Sequence, residues 1–301
     1  MNAPRSKRVD VDGWLILDKP QGLTSTQAVS RVKRLFNAKK AGHAGTLDPL
    51  ATGILPIAFG EATKTVPFVQ DGKKAYRFTV RWDEETDSDD SDGAIVRTSA
   101  ARPDLASIET AMPQFTGTIL QTPPSFSAIK IGGERAYDLA RDGEKVELAA
   151  REVTIDALDL VSHSRDEAVF DARCGKGTYV RAIARDMGRL LGCFGHVTAL
   201  RRTRVGPFVI ANAVTLAELE DDPAQAKDYL QSVEAGLTEL PCVVVDRNAA
   251  ARLRRGQSLI LRGREAPAGG IAYAACGGVP IAFGPVEGGE LNPTRVFNLA
   301  F

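Results

Sequence analysis

The sequence is poor in cysteine and histidine, the residues that most often build disulfide frameworks and zinc sites. Among its 301 residues there are four cysteines, far apart and with no C-x-x-C pair, and three histidines. They are Cys174, Cys193, Cys242, Cys276, His43, His163 and His196. We therefore expect no disulfide framework, no metal site and no metal partner.

Long hydrophobic runs are also missing. No uninterrupted apolar stretch approaches the roughly 20 residues that span a bilayer, and residues 1–12 lack the apolar region of a signal peptide. We therefore expect a cytoplasmic protein with no membrane partner. Hydrophobic residues make up 44% and charged residues 25% of the chain, which is typical of a globular protein. At about 150 residues per domain, the length predicts one large domain or two of unequal size.

Net charge is absent, because 38 basic residues balance 38 acidic ones, yet the two signs are segregated along the chain. Basic residues concentrate in residues 5–40 (nine, against three Asp), 173–204 (eight, against one Asp) and 247–264 (six Arg and no acid). Acidic residues concentrate in residues 83–92, with seven in ten positions, and 218–239, with seven acids against one Lys. Two interpretations stay open: each cluster is a solvated loop, or the basic segments form one surface that meets phosphates.

Apolar residues recur with the two periods that distinguish strands from helices. Residues 76–82 alternate between apolar and polar side chains, which predicts a strand with one buried face, and residues 153–160 and 169–173 also predict strands. Residues 105–115 predict a helix. We interpret the Asp- and Ser-rich run at residues 86–92 as a loop.

Two further helices carry features that bear on function. Ser25 can cap a helix whose apolar positions form one stripe as far as Phe36. A second helix is predicted from Tyr179 to Leu191, with Gly192 as its C-terminal cap. Three arginines recur every four residues along this second helix and predict a basic ridge, which consists of Arg181, Arg185 and Arg189.

The C-terminal part of the chain differs in composition from the rest. Thr215 and Glu218 predict a capping box that opens a short acidic helix. After Leu240, short apolar runs alternate with Gly- and Pro-rich turns, which favours a small β-barrel of about 60 residues. We therefore expect a large α+β domain over residues 1–239 and a small β domain over residues 240–301.

Residues 42–53 (Gly-His-Ala-Gly-Thr-Leu-Asp-Pro-Leu-Ala-Thr-Gly) hold the densest set of unusual residues. Four glycines, two prolines and few charges in residues 42–60 favour a buried, tightly turned loop over regular structure. The G-x-x-x-x-G-K-[ST] pattern of a nucleotide-binding loop is missing. Pro49 favours an extended Asp48, whose carboxylate the flanking glycines could present in a cleft. Because Asp-Pro also commonly opens turns, a purely structural role for Asp48 stays open here.

The motif G-H-x-G-T-L-D-P-x-A-x-G in residues 42–53 resembles the signature of the TruB family of tRNA pseudouridine synthases. Further motifs resemble the family in order and spacing. One precedes the signature, namely Leu17-Asp18-Lys19-Pro20-Gln21-Gly22, and the others follow it, namely Lys74-Ala75-Tyr76, Pro123-Pro124-Ser125-Phe126-Ser127-Ala128, Gly177-Thr178-Tyr179-Val180-Arg181 and Leu200-Arg201-Arg202-Thr203. The resemblance covers residues 12–220, and Ala44 departs from it where family members often have Thr. The C-terminal segment resembles the family's PUA-type RNA-binding domain only in length and in its alternation of strands and turns.

The resemblance implies a pseudouridine-synthase fold, α+β with a mixed, mainly antiparallel sheet, followed by a small PUA-like β-barrel. The implied activity is isomerisation of uridine to pseudouridine at position 55, in the T-loop of tRNA, without any cofactor. The Asp of the signature is catalytic in the family, which points to Asp48. Attack on uracil C6, attack on ribose C1′ and proton abstraction from C2′ are all compatible with one carboxylate. The target nucleotide must be flipped out of its stack to reach that carboxylate.

The resemblance also implies roles for Arg181, Tyr76 and His43. Arg181 is implied to pair with Asp48, which a guanidinium can hold in a two-point fork, while a phosphate contact on the basic ridge is the alternative. Tyr76 is implied to stack on the target uracil with its hydroxyl near the site of proton transfer, although its strand pattern alone makes it one more core aromatic. His43 is implied to support the flipped nucleotide, against the general expectation of a polar surface histidine.

Four other residues complete the candidate site. Tyr179 and Leu200 resemble the remaining walls of the uracil pocket, while ordinary roles at a helix start and in the core stay open for them. Lys19 and Pro20 are expected to brace the active-site loop and to take no part in the chemistry.

Two other classes of function compete with this one. A non-catalytic RNA-binding protein would keep the surface and lose the reaction, but Asp48, Tyr76 and Arg181 are all present. A glycoside hydrolase would need a second carboxylate as acid, and the matched motifs offer none in that role. We expect a monomer that binds the T stem-loop of tRNA, since no long unmatched apolar helix face calls for a second subunit.

Overall fold

A computed structural model of the protein describes residues 7–127, 129–131, 134–135, 148–261 and 267–300. Ala128, which ends one of the family-like motifs, and Arg262 and Arg264 of the third basic segment lie outside these residues. No helix in the described part of the chain is long and apolar enough to cross a membrane.

Most strands before residue 216 belong to one large sheet. In chain order, all the strands described before residue 216 are β1 (Gly13–Lys19), β2 (Ala41–His43), β3 (Thr52–Phe59), β4 (Lys74–Trp82), β5 (Glu84–Thr86), β6 (Ile95–Thr98), β7 (Gly117–Gln121), β8 (Lys130–Ile131), β9 (Glu134–Arg135), β10 (Arg151–His163), β11 (Glu167–Cys174), β12 (Gly195–Val205), β13 (Phe208–Val209) and β14 (Val214–Thr215). The large sheet has the order β14-β1-β3-β12-β4-β11-β10-β7, with β13 beside β12 and β2 beside β3. Only β1–β14 and β3–β12 pair in parallel among its described strands, which confirms the mixed, mainly antiparallel sheet. The pairs β5–β6 and β8–β9 form separate hairpins.

Short helices connect these strands and cover the sheet. The α-helices of the described chain are α1 (Ser25–Leu35), α2 (Val66–Asp71), α3 (Leu105–Ala111), α4 (Val180–Leu190), α5 (Leu216–Asp221) and α6 (Arg247–Arg254). Single 3₁₀ turns occupy Gly60–Lys64, Met112–Phe115, Ile210–Asn212, Gln225–Tyr229 and Val233–Leu237. The helix predicted over residues 105–115 is thus an α-helix continued by a 3₁₀ turn.

Several local predictions hold and one cap is different. The capping box at Thr215 is present at the start of α5, and Gly192 takes the left-handed φ of +70° just beyond α4. The cap of α1 is Thr24, which exchanges hydrogen bonds with Gln27, so the assignment of this cap to Ser25 was wrong. Ser25 is instead the first helical residue, and its hydroxyl is used for a tertiary contact described below.

The prediction that residues 42–60 lack regular structure was also wrong. This stretch contains the end of β2 and all of β3, and only residues 44–51 connect them as a loop. β3 lies between β1 and β12 and is buried almost throughout, so its sequence is a continuous apolar run without alternation. Position 53 in this strand requires glycine, because φ is +96° there and a Cβ atom would lie 2.2 Å from the carbonyl oxygen of Arg202.

Alternating side chains of β1 enter two different hydrophobic cores. Leu15 and Leu17 pack into a core under α1 and α4, while Trp14 and Ile16 pack into a second core on the opposite face. The first core also receives Phe78, which stacks on a neighbouring phenylalanine with ring centroids 5.4 Å apart.

The C-terminal residues form a six-stranded, curled sheet. Its strands are β15 (Cys242–Val244), β16 (Leu259–Ile260), β17 (Gly270–Cys276), β18 (Val279–Glu287), β19 (Glu290–Leu291) and β20 (Arg295–Val296). The order is β15-β17-β18-β19-β16, with β20 beside β18, and α6 packs on it. Phe283 of β18 and Phe297, directly after β20, pack into the second core. There the rings of Phe283 and Phe68 meet edge-on with their centroids 4.9 Å apart. The C-terminal sheet therefore shares a hydrophobic core with the large sheet.

Candidate active site

The loop at residues 44–51 carries Asp48 and is held from several sides. The Ser25 hydroxyl accepts from the amide of Leu47 at 2.8 Å and donates to its carbonyl at 3.0 Å, which fixes the loop to the start of α1. Arg202 on β12 donates to the carbonyls of Gly45 and Thr46, each at 3.1 Å. These side-chain bonds satisfy loop carbonyls and amides that no strand pairs, so the loop has a defined conformation.

Lys19 ends β1 and contacts this loop, and Pro20 follows it in the chain. The Lys19 side chain is fully buried, and its ammonium donates to the carbonyls of Leu23 (2.8 Å), Pro20 (2.9 Å) and Pro49 (3.4 Å). Burial lowers the pKa of Lys19 to about 8, and the Asp48 carboxylate opposes this shift. The ammonium thus links the end of β1 to the residue that follows Asp48.

Asp48 forms an ion pair with Arg181, and both residues line one cavity. Arg181 Nε lies 3.0 Å from Asp48 Oδ2, and the arginine side chain is 5% exposed whereas that of Asp48 is 35% exposed. The carboxylate is therefore paired with a buried positive charge on one side and open to the cavity on the other. This is the arrangement that a nucleophile or base needs, because its charge is stabilised while a substrate can still reach it.

The rest of the Arg181 guanidinium holds groups other than Asp48. Nη1 donates to the carbonyl of Ser88 at 2.7 Å and lies 3.4 Å from Asp90 Oδ2, and Nη2 donates to the carbonyl of Phe126 at 2.9 Å. The two-point fork on Asp48 that the sequence suggested is thus replaced by contacts with three separate segments. These contacts fix the plane of the guanidinium and hence the position of its Nε.

Tyr76, Tyr179 and Leu200 line the same cavity, which has a volume of about 400 Å³. Tyr76 comes from β4, and burial raises the pKa of its hydroxyl above the ordinary value. Tyr179 immediately precedes α4, where its amide and carbonyl are bound by the side chain of Gln121 at 2.8 and 3.2 Å. The cavity therefore joins two aromatic side chains and one leucine around the Asp48 carboxylate.

His43 occupies a different position from these residues. It ends β2, opposite Ile57 of β3, and is not among the side chains that line the cavity. It lies five residues before Asp48, at the other end of the connecting loop. The structure thus brings Asp48, Arg181, Tyr76, Tyr179 and Leu200 together and leaves His43 outside the cavity wall.

The acidic run at residues 83–92 supplies the site residues that sequence reasoning missed. Residues 87–92 form a loop, as predicted, but Ser88, Asp89 and Asp90 are buried, so the interpretation of the acidic cluster as solvated does not hold for these three residues. Burial raises the pKa of Asp90, and hydrogen bonding from the Ser88 hydroxyl opposes the rise. The run packs along α4 because its acids meet the arginines there, a match between two segments of opposite charge.

The basic ridge on α4 is consequently not an open surface for phosphates. Arg185 Nη1 donates to Asp89 at 2.9 Å, and Arg189 binds Glu85 through two hydrogen bonds of 2.7 and 2.8 Å. With Arg181 already bound to Asp48 and Asp90, every arginine of the ridge has acidic partners. The sequence carries only an indirect signal of this contact, namely a dense acidic cluster in residues 83–92 and a separate group of arginines in residues 181–189.

No cluster of three or more His, Cys, Asp or Glu side chains suited to a metal ion occurs in the part of the chain that the structure describes. The ionisable side chains that line the cavity are two carboxylates, two arginines, two lysines and two phenols, namely Asp48, Asp71, Arg181, Arg202, Lys74, Lys176, Tyr76 and Tyr179.

Comparison with known proteins assigns the chain to a family. The sequence model of "TruB family pseudouridylate synthase (N terminal domain)" matches residues 33–180, and that of "tRNA pseudouridylate synthase B C-terminal domain" matches residues 181–238. The protein named tRNA pseudouridine synthase B from Rhodopseudomonas palustris is 58% identical over 305 residues, which cover 98% of this chain and 83% of that protein. The protein of the same name from Rhizobium meliloti is 54% identical over 308 residues and 99% of both chains.

A solved structure supports the same fold. The crystal structure of a Cbf5-Nop10-Gar1 complex contains a chain that superposes with a TM-score of 0.73 at 24% identity, covering 95% of this chain and 84% of that one. This likeness confirms the pseudouridine-synthase fold, and the family models and relatives identify the enzyme class as an isomerase that makes pseudouridine. The chain belongs to the TruB family of pseudouridylate synthases.

Proposed function

We propose that the protein converts the uridine at position 55 in the T-loop of tRNA to pseudouridine, and that Asp48 is its catalytic residue. The observation that carries this proposal is the Asp48 carboxylate, paired with the buried Arg181 and open to a cavity lined by two tyrosines. The relatives that are named tRNA pseudouridine synthase B supply the substrate class.

The reaction needs no oxidant, reductant or metal. The bond between uracil N1 and ribose C1′ breaks, the detached base turns, and C5 bonds to C1′. C5 then loses its proton while N1 gains one, so substrate and product are isomers. Asp48 can begin this sequence by attack on C6, attack on C1′ or removal of a proton from C2′, and all three use the ionised carboxylate.

The walls of the cavity suit a flipped nucleotide. A volume of about 400 Å³ accommodates one nucleoside, and Tyr76 offers a face on which uracil can stack. A tyrosine hydroxyl is protonated at neutral pH, and burial raises the pKa of Tyr76 further, so this hydroxyl can donate a hydrogen bond to the base. Tyr179 and Leu200 enclose the base from the other sides, and water is excluded while it is detached.

The remaining candidate residues act around this centre. We place Lys19 and Pro20 as braces of the Asp48 loop, since the Lys19 ammonium binds the carbonyl of Pro20 and that of Pro49, which follows Asp48 in the loop. We place His43 beside the flipped nucleotide of the T-loop, outside the pocket that holds its base. Extruding a stacked nucleotide costs a few kcal/mol, which contacts of this kind offset.

The C-terminal sheet is proposed to bind tRNA and to leave the chemistry to residues 1–239. Arg252 and Arg255 are exposed on and just after α6, where they can meet phosphates. Arg254 instead donates to the carbonyl of Leu299, which follows β20. In this proposal the enzyme acts in the cytoplasm as a monomer on the T stem-loop.

The test uses a T-arm stem-loop whose target uridine is tritiated at C5. Isomerisation releases this tritium to water, because C5 forms the new bond to ribose. We expect release by the wild-type enzyme and none by Asp48→Asn, with Asp171→Asn as the matched control. Asp171 lies in an exposed pair with Arg77, so its loss changes charge without touching the cavity.

Other outcomes identify the competing functions. Release of free uracil would indicate a hydrolase, and tight tRNA binding without tritium release would indicate an RNA-binding protein. Normal release by Asp48→Asn would refute the assignment of Asp48.

A further inference from the structure

Arg185 lies one helical turn after Arg181 on α4 and joins three parts of the chain, although it does not line the cavity. Its Nη1 donates to Asp89 Oδ2 at 2.9 Å, its Nη2 donates to the carbonyl of Thr122 at 2.7 Å, and its Nε donates to Asp186 at 2.8 Å. Arg185 and Asp89 are both buried. Since desolvation cancels much of the gain of a buried ion pair, stability alone does not account for placing one here.

The first segment that Arg185 holds is residues 122–127, which end at the cavity wall. The carbonyl of Thr122 is bound by Arg185, and that of Phe126 is bound by Arg181 at 2.9 Å. Two prolines follow Thr122 and have no backbone N–H to donate. Successive turns of α4 therefore fix the two ends of this segment through side chains.

The second segment is the acidic run, where Asp89 sits between the two residues that hold Arg181. Ser88 accepts from Arg181 at 2.7 Å, and Asp90 lies 3.4 Å from it. Asp89 itself has a left-handed φ of +62°, which costs backbone energy in a residue other than glycine. Burial also raises its pKa to about 6, against the opposing charge of Arg185. The strained backbone and the buried carboxyl thus both belong to Asp89, the residue whose position sets the positions of Ser88 and Asp90.

We propose that Asp89 and Arg185 are positioning residues for catalysis. They hold the acidic run and residues 122–127 on α4 and so fix the Arg181 guanidinium against Asp48. Neither side chain touches substrate. The proposal rests on the function proposed for Asp48, and it adds two residues that act through Arg181.

The expected consequence is a loss of rate without a loss of binding. A guanidinium that is free to tilt no longer keeps the Asp48 carboxylate in its reactive position, and a displacement of about 1 Å can lower a rate by about a hundredfold. We expect Asp89→Asn and Arg185→Lys each to lower kcat by at least about tenfold, while the Kd for tRNA stays within about twofold.

The matched control is Arg189→Lys. Arg189 lies one further turn along α4 and is bound to Glu85 by two hydrogen bonds, but it contacts neither residues 122–127 nor Arg181 in the structure described. Arg189→Lys removes a two-point contact between an arginine and a carboxylate while keeping the positive charge. We expect its kcat to match that of the wild type.

A measurement independent of activity reports on Arg181 directly. The Nε–H NMR signal of Arg181, assigned by its loss in Arg181→Lys, should be sharp in the wild type and in Arg189→Lys. It should broaden or exchange faster with water in Asp89→Asn and Arg185→Lys. Thermal unfolding of each variant shows that the protein is folded at the assay temperature, and if Asp89→Asn does not fold, Arg185→Lys carries the test.

Several results would overturn the proposal. These are an unchanged kcat in Asp89→Asn and Arg185→Lys, an equal loss in Arg189→Lys, or a loss of kcat with an unaltered Arg181 signal. Failure of the proposed function is distinguishable, because the wild-type protein would then release no tritium in the same assay, and failure of the role of Asp48 would appear as an active Asp48→Asn. If Asp48→Asn is inactive and the two positioning variants have wild-type kcat, only the positioning role is wrong.

Discussion

Removal of the Arg181 side chain is the most informative single perturbation of this protein. Arg181 is 5% exposed and lies against two carboxylates, that of Asp90, which is 7% exposed, and that of Asp48, which is 35% exposed. It also donates to the carbonyls of Ser88 and Phe126. Arg181→Ala would leave one acid buried without a counter-charge and two carbonyls without their donor.

The magnitude follows from these contacts. Removing one partner of a buried ion pair costs about 3–5 kcal/mol, and most of that cost falls on Asp90 because water still reaches Asp48. Each lost hydrogen bond to a buried carbonyl adds about 1 kcal/mol when water does not replace it. We expect Arg181→Ala to lower the free energy of unfolding by about 3–5 kcal/mol at about pH 7.

The stability loss should depend on pH in a predictable direction. Burial raises the pKa of Asp90 in the folded protein, so this carboxyl binds its proton more tightly when folded than when unfolded. Its stabilising contribution is therefore complete below the unfolded pKa and is lost as pH rises through the folded pKa. In Arg181→Ala this effect grows, and the difference from the wild type should shrink as pH falls from about 7 to about 4.

Urea denaturation at several pH values measures both effects. Asp90→Asn in the Arg181→Ala background should recover part of the stability, because it removes the charge that was left unpaired. A loss below about 1 kcal/mol at neutral pH, or no recovery in the double variant, would refute the buried-pair argument.

Four further predictions follow from other parts of the structure. Asp48→Asn should abolish tritium release and leave the Kd for tRNA within a small factor, as measured by filter binding, since the amide keeps the shape and loses the charge. Tyr76→Phe should leave the ultraviolet titration of tyrosine near pH 10 unchanged, because burial moves the ionisation of Tyr76 above that range. Phe283→Ala should cost about 3–5 kcal/mol in thermal or urea unfolding, since this ring joins the core shared by the two sheets, and a change below about 1 kcal/mol would contradict that packing. Arg252→Ala and Arg255→Ala should each weaken tRNA binding and lower the salt slope by about 1 with kcat unchanged at saturation, and an unaltered slope would show that neither meets a phosphate.

Residues 76–82 and 180–190 show where sequence patterns are sufficient. β4 and α4 form at the positions that their apolar periods predict, because each has one face in the core and one face outside it. The strand β3 shows where they are not, because it lies between neighbouring strands with a core on each face and is apolar on both faces. The cap of α1 could have been predicted, since Thr24 has Gln27 at capping-box spacing whereas Ser25 has Ala28 there.

The candidate site likewise has features that the sequence predicts and features that it does not. The motif around Asp48 and the pairing of Asp48 with Arg181 could be proposed from sequence, since a buried carboxylate needs a fixed positive charge. The contacts of Asp89 and Asp90 could not, because nothing local tells an acid in a solvated loop from an acid that meets an arginine about ninety residues away.

The sequence by itself therefore determined the family-like motifs, the sheet and helix periods and the identity of the Asp48 carboxylate as the candidate reactive group. Those features depend on residue type and on neighbours within a few positions. Only the tertiary structure decided that the acidic run is buried on α4, that Arg181 joins Asp48 to two other segments, and that the C-terminal sheet shares a core with the large one. These contacts join residues far apart in the chain, and whether a charge is solvated or paired depends on what the fold brings beside it.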